Sequence, residues 1–274
     1  MTTSEISAPV VLEPTGAGRL WLAIRDALAM TRRNLIPYRR IPQLLVFATI
    51  QPILFVLMFT YVFGGAIQVP GVDYVDYLMP GIFAQTIAFG AVTTGVGLAE
   101  ARKSGVIERL RSLPMARSAV LAGRTGADMV RNALVVAPMT GIGFAVGFRI
   151  HTDAAKFLLG IVVLLFFAFS LTWVFATLGL SVSGAEAAQA ASFPILLPFV
   201  FASSAFVSPA TMPSWLQPFA EHQPVSAAVD AVRALTLGGP WVEDVLASLA
   251  WSVAILAVFV PLAIWRYQRV GQSE

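Results

Sequence analysis

The sequence predicts an all-α polytopic membrane protein with six transmembrane helices and an interfacial helix ahead of them. Three observations carry that prediction. Of the 274 residues 57% are hydrophobic and 12% are charged, with a mean hydropathy of +0.78; soluble domains carry about 25% charged residues. Too little charge remains to cover a soluble surface. Six apolar segments meet or approach the roughly 20 residues needed to cross the hydrocarbon of a bilayer. The Lys and Arg residues gather beside those segments instead of spreading along the chain.

The predicted spans are residues 44–67, 77–99, 132–148, 157–180, 187–207 and 245–265. Each is a long apolar run rather than about ten residues of alternating polarity, which favours helices over barrel strands. The third is the least distinct at its start, because extending it toward the amino side brings in Arg124, Asp128 and Arg131. Pro52, Pro138, Pro194 and Pro198 lie inside spans, where the missing N–H frees a carbonyl and kinks the helix. Gly143 and Gly147 form a GxxxG pair suited to close helix contact.

Charge sets the orientation. Arg19, Arg25, Arg32, Arg33, Arg39 and Arg40 precede the first span; Arg102, Lys103, Arg109, Arg111, Arg117, Arg124 and Arg131 lie between the second and third; Arg266 and Arg269 follow the last. Only Arg149, Lys156 and Arg233 of the 18 basic residues fall elsewhere. The positive-inside rule makes the basic face cytoplasmic and puts both termini on it. The opening MTTSEISAPVVLEPTGAG has no basic stretch leading into an apolar core, so no cleavable signal peptide is expected. The expected organisation is a disordered cytoplasmic N-terminus at 1–17, an amphipathic interfacial helix at 18–40, a transmembrane domain at 41–265 and a cytoplasmic tail at 266–274.

Two basic-side segments are amphipathic. In GRLWLAIRDALAMTRRNLIPYRR, Leu20, Trp21, Ile24, Leu28 and Leu35 recur near helical spacing while Arg25, Asp26, Arg32 and Arg33 fall elsewhere. That pattern describes a helix lying in the membrane interface, serving either as an anchor or as a surface for a cytoplasmic partner. In RKSGVIERLRSLPM, Val106, Ile107, Leu110 and Leu113 form an apolar stripe, Glu108, Arg109 and Arg111 form the other side, and Pro114 ends the run. A helix this short is marginal alone in water. Something has to receive its apolar face: anionic lipid headgroups are one candidate and a protein partner is the other.

Several function classes are excluded. With no cysteine there are no disulfides, thiolate metal sites or cysteine nucleophiles, and His151 and His222 are too few for a histidine-rich metal centre, so no metal site is expected. No nucleophile, base and acid set can be assembled within the spans. A phosphate-binding loop requires Gly-Lys-Ser/Thr, and neither Lys103 nor Lys156 follows a glycine. Any use of ATP must come from another polypeptide. The pI near 9.6 reflects topology-setting charges and does not imply nucleic acid.

Substrate-facing candidates are the uncharged polar residues of the second and fifth spans: Gln85, Thr86, Thr93, Thr94, Ser203 and Ser204. Arg124, Asp128 and Arg131 stand about one helical turn apart, where ion pairs lower their cost near lipid; interface snorkelling and a hinge both fit. Glu186 is read as an acid in a short loop, either solvated or paired across helices.

GVIERLRSLPM, with TGVGLAEARKS before it and ARSAVLAGRTGADMVRN after it, resembles the loop between the second and third spans of ABC-2 type permeases, particularly the daunorubicin/doxorubicin-resistance group. MPGI at 79–82, EAAQAASF at 186–193 and MPSWLQPFAEHQPVSAAVDAVRAL at 212–235 follow in that family's order, so the likeness covers nearly the whole chain. One departure is His222-Gln223-Pro224, where the family often has Asn-Pro. The resemblance implies the membrane subunit of an ABC exporter in a bacterial cytoplasmic membrane, conferring antibiotic resistance or moving lipid-like molecules outward. It implies a separate ATPase subunit that holds ATP and Mg, a second permease subunit (identical or different), contact with membrane lipid, and no cofactor in this chain. It makes Ile107, Glu108, Arg109, Leu110, Arg111 and Leu113 a cytoplasmic coupling helix seated in a groove of the ATPase, and residues 208–240 an external re-entrant helical segment capping the exit. The competing reading, an ion-coupled secondary transporter, calls for ionisable residues deep in the spans. A membrane-embedded enzyme ranks third.

Overall fold

The computed structural model describes residues 16–41, 43–67, 69, 71–111 and 117–269. All regular structure among these residues is helical. Helix α1 (Gly16–Arg40) precedes α2 (Gln43–Leu57), which continues as a π-helical turn, Met58–Phe63. Then come α3 (Tyr74–Lys103), α4 (Val106–Arg111), α5 (Arg117–Val146), α6 (Ala154–Gly179), α7 (Ala185–Phe201), a 3-10 turn (Pro209–Thr211), α8 (Gln217–His222), α9 (Pro224–Leu237) and α10 (Val242–Arg269). Five segments are long and apolar enough to cross a membrane: Leu45–Phe63, Tyr74–Lys103, Val120–Val146, Ala154–Gly179 and Val242–Arg269. Apolar α7, at 17 residues, is shorter.

Helix α3 is the axis of the bundle. It is buried along most of its length and packs against α5, α6, α7 and α9. Leu78, Ile82, Phe83 and Ile87 of α3 meet Met139, Phe167, Phe175, Leu196 and Val229 in the main core. Helices α3 and α6 touch backbone to backbone: a Cβ added to Gly179 would overlap the Gly95 carbonyl. Small residues permit that approach where both helices are immersed in apolar surroundings. At the basic end, Met30, Leu98, Ile107, Leu121, Trp173 and Tyr267 form a second cluster that gathers α1, α3, α4, α5, α6 and α10.

Helix α1 lies along α5, its Ala27, Met30 and Thr31 fitted over Gly123 and Gly126. Trp21, Ile24 and Leu28 face outward. The first span is also largely outward-facing, with Phe47 and Tyr61 each 70% exposed. Its apolar surface needs lipid or another membrane chain to cover it.

Several elements differ from expectation. The third membrane helix begins at Arg117, not near residue 132, so Arg124, Asp128 and Arg131 are helix-interior residues. The charges of Asp128 and Arg131 are tolerated because partners on α3 satisfy them, as described below, and Arg124 lies over Gly97 of the same helix. Gly147 is not a packing glycine. Its φ of 118° terminates α5, with Phe148 N–H donating to the Gly143 carbonyl at 2.8 Å and Gly147 N–H to that of Phe144 at 3.3 Å, the αL closure that glycine permits. Only Gly143 packs closely, against Met79.

The fifth apolar run leaves helix after Phe201, and residues 202–207 are unwound. Ser203 competes with the helix by donating to the Val200 carbonyl at 2.6 Å and accepting from Ala205 N–H at 3.1 Å. Glu186 occupies the first turn of α7 instead of a loop, where a negative charge suits the helix N-terminus. Helix α10 runs to Arg269, into the segment expected to be a tail. Gly16 and Ala17 already belong to α1, and the rest of the expected N-terminal segment, 1–15, lies outside the described residues.

Beyond α7, α9 dips into the bundle, burying Val225, Ala228, Val229 and Val232 in the main core. Gln223 sets its start: Oε1 accepts from Val225 N–H at 2.8 Å, and Nε2 donates to the Phe199 carbonyl at 2.8 Å. Pro224 takes the first helical turn, where no N–H is needed.

Candidate functional site

A cleft of about 760 Å³ opens between α2, α3, α5 and α7, with Tyr38 of α1 at one end. Most of its α3 wall is one helical stripe, Gln85, Thr86, Phe89, Gly90, Thr93, Val96, Gly97 and Glu100, with Ile87 and Val92 beside it. Gln51 from α2, Arg131 and Asn132 from α5 and Gln189 from α7 add polar groups, while Phe89 and Phe193 supply flat apolar surface.

A closed charge network braces the α5 wall. Arg131 donates to the Gly90 carbonyl at 2.6 Å and to Thr93 Oγ1, and its Nη1 stands 3.5 Å from Asp128. The other Asp128 oxygen accepts from Thr94 Oγ1 at 2.5 Å. Arg131 and Asp128 are 6% and 5% exposed, so the pair is a buried, mutually neutralised unit. Gly90 provides the room: a Cβ there would stand 2.9 Å from both Arg131 Nη2 and Asn132 Oδ1.

Gln85, Thr86 and Thr93 therefore line the cleft. Thr94 is buried against Asp128, and Ser203 and Ser204 sit in the unwound segment after α7, outside the cleft lining. Gln51, Asn132 and Gln189 also line it and were not singled out by sequence, and Arg131, read there as an interface or hinge charge, lines it as well. Gln51 interrupts an apolar span, and Asn132 follows a charged residue at the edge of another; those were the available signals.

The short helix α4 follows a turn at Gly105, whose φ is 68°. Ile107 is 1% exposed and packs in the basic-end cluster. It packs against its own bundle, whereas the resemblance places it in a groove of the ATPase. Leu110 packs half-buried at the edge of that cluster, and Arg109 is exposed. The side chains of Glu108 and Arg111, and all of Leu113, lie outside the described residues. Just before α4, Arg102 donates to the carbonyls of Leu180 and Val182 at 3.1 and 3.2 Å, tying α3 to the α6 C-terminus.

At the opposite end a clasp closes over the unwound segment. Arg233 of α9 donates to the Ser204 carbonyl at 2.7 Å, the Tyr77 carbonyl at 3.1 Å and Asp230 Oδ1 at 2.7 Å. Its guanidinium lies 3.7 Å from the Tyr77 ring centroid. Tyr77 Oη donates to the Ser204 carbonyl at 3.0 Å, Tyr74 Oη to that of Phe206 at 3.1 Å, and Ser204 Oγ to Asp230 at 2.7 Å. Unwound backbone at this depth persists because protein groups satisfy its carbonyls. Burial raises the Asp230 carboxyl above its ordinary range, against the opposing pull of Arg233 and the Ser204 hydrogen bond. Nearby, Asp76 accepts from Arg149 N–H at 2.7 Å and pairs with His151 Nε2 at 2.6 Å, fixing the α5–α6 loop to the start of α3.

Residues 25–237, from α1 to the end of α9, match the ABC-2 type transporter family. The chain belongs to that family. The matched stretch contains the cleft, α4 and the clasp, and leaves α10 outside. A daunorubicin resistance ABC transporter permease protein of Streptomyces coeruleorubidus is 34% identical over 246 residues, covering 90% of this chain and 87% of the relative. A Mycobacterium tuberculosis protein named "Probable doxorubicin resistance ABC transporter permease protein" is 30% identical over 275 residues, covering 96% of each chain. These relatives are named as permeases of ABC transporters, not as ATPases. For an ABC-2 type chain, the ionisable pair inside α5 is a brace between α3 and α5 and needs no ion-coupling role to account for it.

Proposed function

We propose that this ABC-2 type chain is the permease subunit of an ATP-driven exporter that carries an amphipathic, drug-like or lipid-like molecule outward across a bacterial cytoplasmic membrane. Family membership over residues 25–237 is the observation that carries this reading. The cleft supports it, because polar groups from α2, α3, α5 and α7 converge on a space lined otherwise by aliphatic and aromatic side chains. Daunorubicin and doxorubicin, named for the two relatives, are the first cargoes to test.

The chain makes six crossings, with α7 as the fifth. Its 17 residues give about 25 Å of helix, at the short end of what spans a bilayer, and residues 202–207 add unwound length held by the clasp. The basic end, with α1, α4 and the C-terminal end of α10, faces the cytoplasm, and α1 lies in the interface with Trp21, Ile24 and Leu28 toward lipid. Residues 208–240 cap the outer end. The outward apolar faces of the first span and α7 pack against a second permease subunit or lipid.

ATP and Mg are held by a separate ATPase. Leu110 and Arg109 of α4 meet that subunit, together with Glu108, Arg111 and Leu113, while Ile107 fastens α4 to its own bundle. Movement of α4 reaches α3 through the turn at Gly105, and α6 and α7 through Arg102. Co-purification tests this directly. Leu110→Asp is expected to insert normally but lose the ATPase or ATP-dependent export; wild-type export by that variant rejects the coupling assignment.

A further inference from the structure

Two polar atoms in the cleft lack partners. Gln85 Oε1 and Asn132 Nδ2 are fully buried and make no hydrogen bond among the described residues, and both side chains, 3% exposed, line the cleft. Buried polar groups are nearly always paired, and an orphan is a standing cost that needs an explanation. One of these atoms needs a donor and the other an acceptor. They project from different walls, Gln85 from α3 and Asn132 from α5.

The charges around them narrow the ligand. Arg131 is already occupied by the Gly90 carbonyl, Thr93 Oγ1, Asn132 Oδ1 and the Asp128 carboxylate. Glu100, at the basic end of the same face, adds a negative charge. Arg124 lies against Gly97 beside Glu100, about 18 Å along α3 from Gln85, so a phosphate or carboxylate held at Gln85 and Asn132 has no free counter-charge within reach, and a carboxylate has no proton to give Gln85 Oε1. A neutral hydroxyl does either job, donating to Gln85 Oε1 or accepting from Asn132 Nδ2, and a ligand with several hydroxyls does both. Phe89, Phe193 and Tyr38 offer flat surface for a ring or hydrocarbon body.

We propose that Gln85 and Asn132 form a subsite for an uncharged hydroxyl group on an amphipathic ligand with an aromatic or apolar body. This rests on the exporter reading and specifies the chemistry of its cargo. The ligand supplies the partners that the protein itself does not give these two groups.

The test uses the full chain with its ATPase in phosphatidylcholine nanodiscs. Two fluorescent probes share one coumarin body: methylumbelliferyl glucoside, which is neutral and polyhydroxylated, and methylumbelliferyl phosphate, which is anionic. Saturable glucoside binding, with the phosphate at least about tenfold weaker, is expected. Gln85→Leu and Asn132→Leu are each expected to weaken glucoside binding about five- to tenfold, and Gln85→Leu to do so without lowering the melting temperature, since it removes an unsatisfied group. Absent glucoside binding, or equal or tighter phosphate binding by the wild-type complex, overturns the proposal without reference to any variant. So do variants that bind glucoside normally, or whose only defect is loss of the second permease copy, which would make these residues a subunit contact. Failure of the wild-type complex to export any cargo with ATP rejects the exporter reading instead and leaves the probe comparison standing.

Discussion

Arg233→Met tests whether the clasp holds the unwound segment after α7. Methionine keeps much of the side-chain length and removes the guanidinium, with its contacts to Ser204 O at 2.7 Å, Tyr77 O at 3.1 Å, Asp230 at 2.7 Å and the Tyr77 ring at 3.7 Å. The contributions are unequal. The Arg233 side chain is 13% exposed but that of Asp230 is 36% exposed, so water takes over part of the lost ion pair and its share falls to about 1 kcal/mol. The Ser204 carbonyl keeps its bond from Tyr77 Oη. A desolvated cation–π contact adds about 2 kcal/mol. The expected loss is about 3 kcal/mol, read as a melting temperature lower by about 6–12 °C in thermal unfolding of the purified protein followed by size-exclusion chromatography. Asp230→Leu combined with Arg233→Met should cost less than the two single changes summed, because no charge is left unpaired. A single variant that melts with the wild type, or strict additivity in the double, refutes the clasp.

Three further outcomes follow from named contacts. Ile107→Ala should lower stability by about 2–4 kcal/mol because that side chain is 1% exposed; Arg109→Glu, at an exposed position, should move the melting temperature far less and weaken capture of the ATPase in a pull-down. Gly179→Ala should destabilise strongly, since its Cβ overlaps the Gly95 carbonyl, while Gly141→Ala, with nothing within 4 Å of its Cβ, should be neutral or slightly stabilising on the same assay. Thr94→Val removes the 2.5 Å bond to Asp128 and should cost about 1.5–3 kcal/mol, visible as a lower denaturation midpoint.

What could be read from sequence divides along physical lines. Membrane helices are written in long apolar runs, so four of the predicted spans recur close to their expected positions in α2 with its π-turn, α3, α6 and α10. The third was placed too late because hydropathy counts Arg124, Asp128 and Arg131 as costs and is blind to the α3 partners that offset Asp128 and Arg131. The end of α7 was missed for a related reason. Ser203 and Ser204 are ordinary residues in an apolar run, and what unwinds them is the combination of Ser203 back-bonding and carbonyl capture by Tyr77 and Arg233, distant in sequence. Gly143 and Gly147 share a motif but not a role, since one faces Met79 and the other closes the helix. In the cleft, Gln85, Thr86 and Thr93 were legible as polar residues in an apolar helix, whereas Asn132 and Arg131 were assigned to the membrane edge until α5 was extended. For α4 the apolar stripe was legible, but its division between Ile107, kept within the chain, and Leu110, at the edge, depends on how the basic-end cluster packs.

The central claim is that a separate ATPase drives cargo through this chain by way of α4. Daunorubicin uptake into inverted vesicles, with and without the co-expressed ATPase, tests it most directly. Uptake that needs both ATP and the ATPase, and that collapses with Leu110→Asp while the chain remains in the membrane, is the predicted result. Uptake by the chain alone, driven by an ion gradient, contradicts the account.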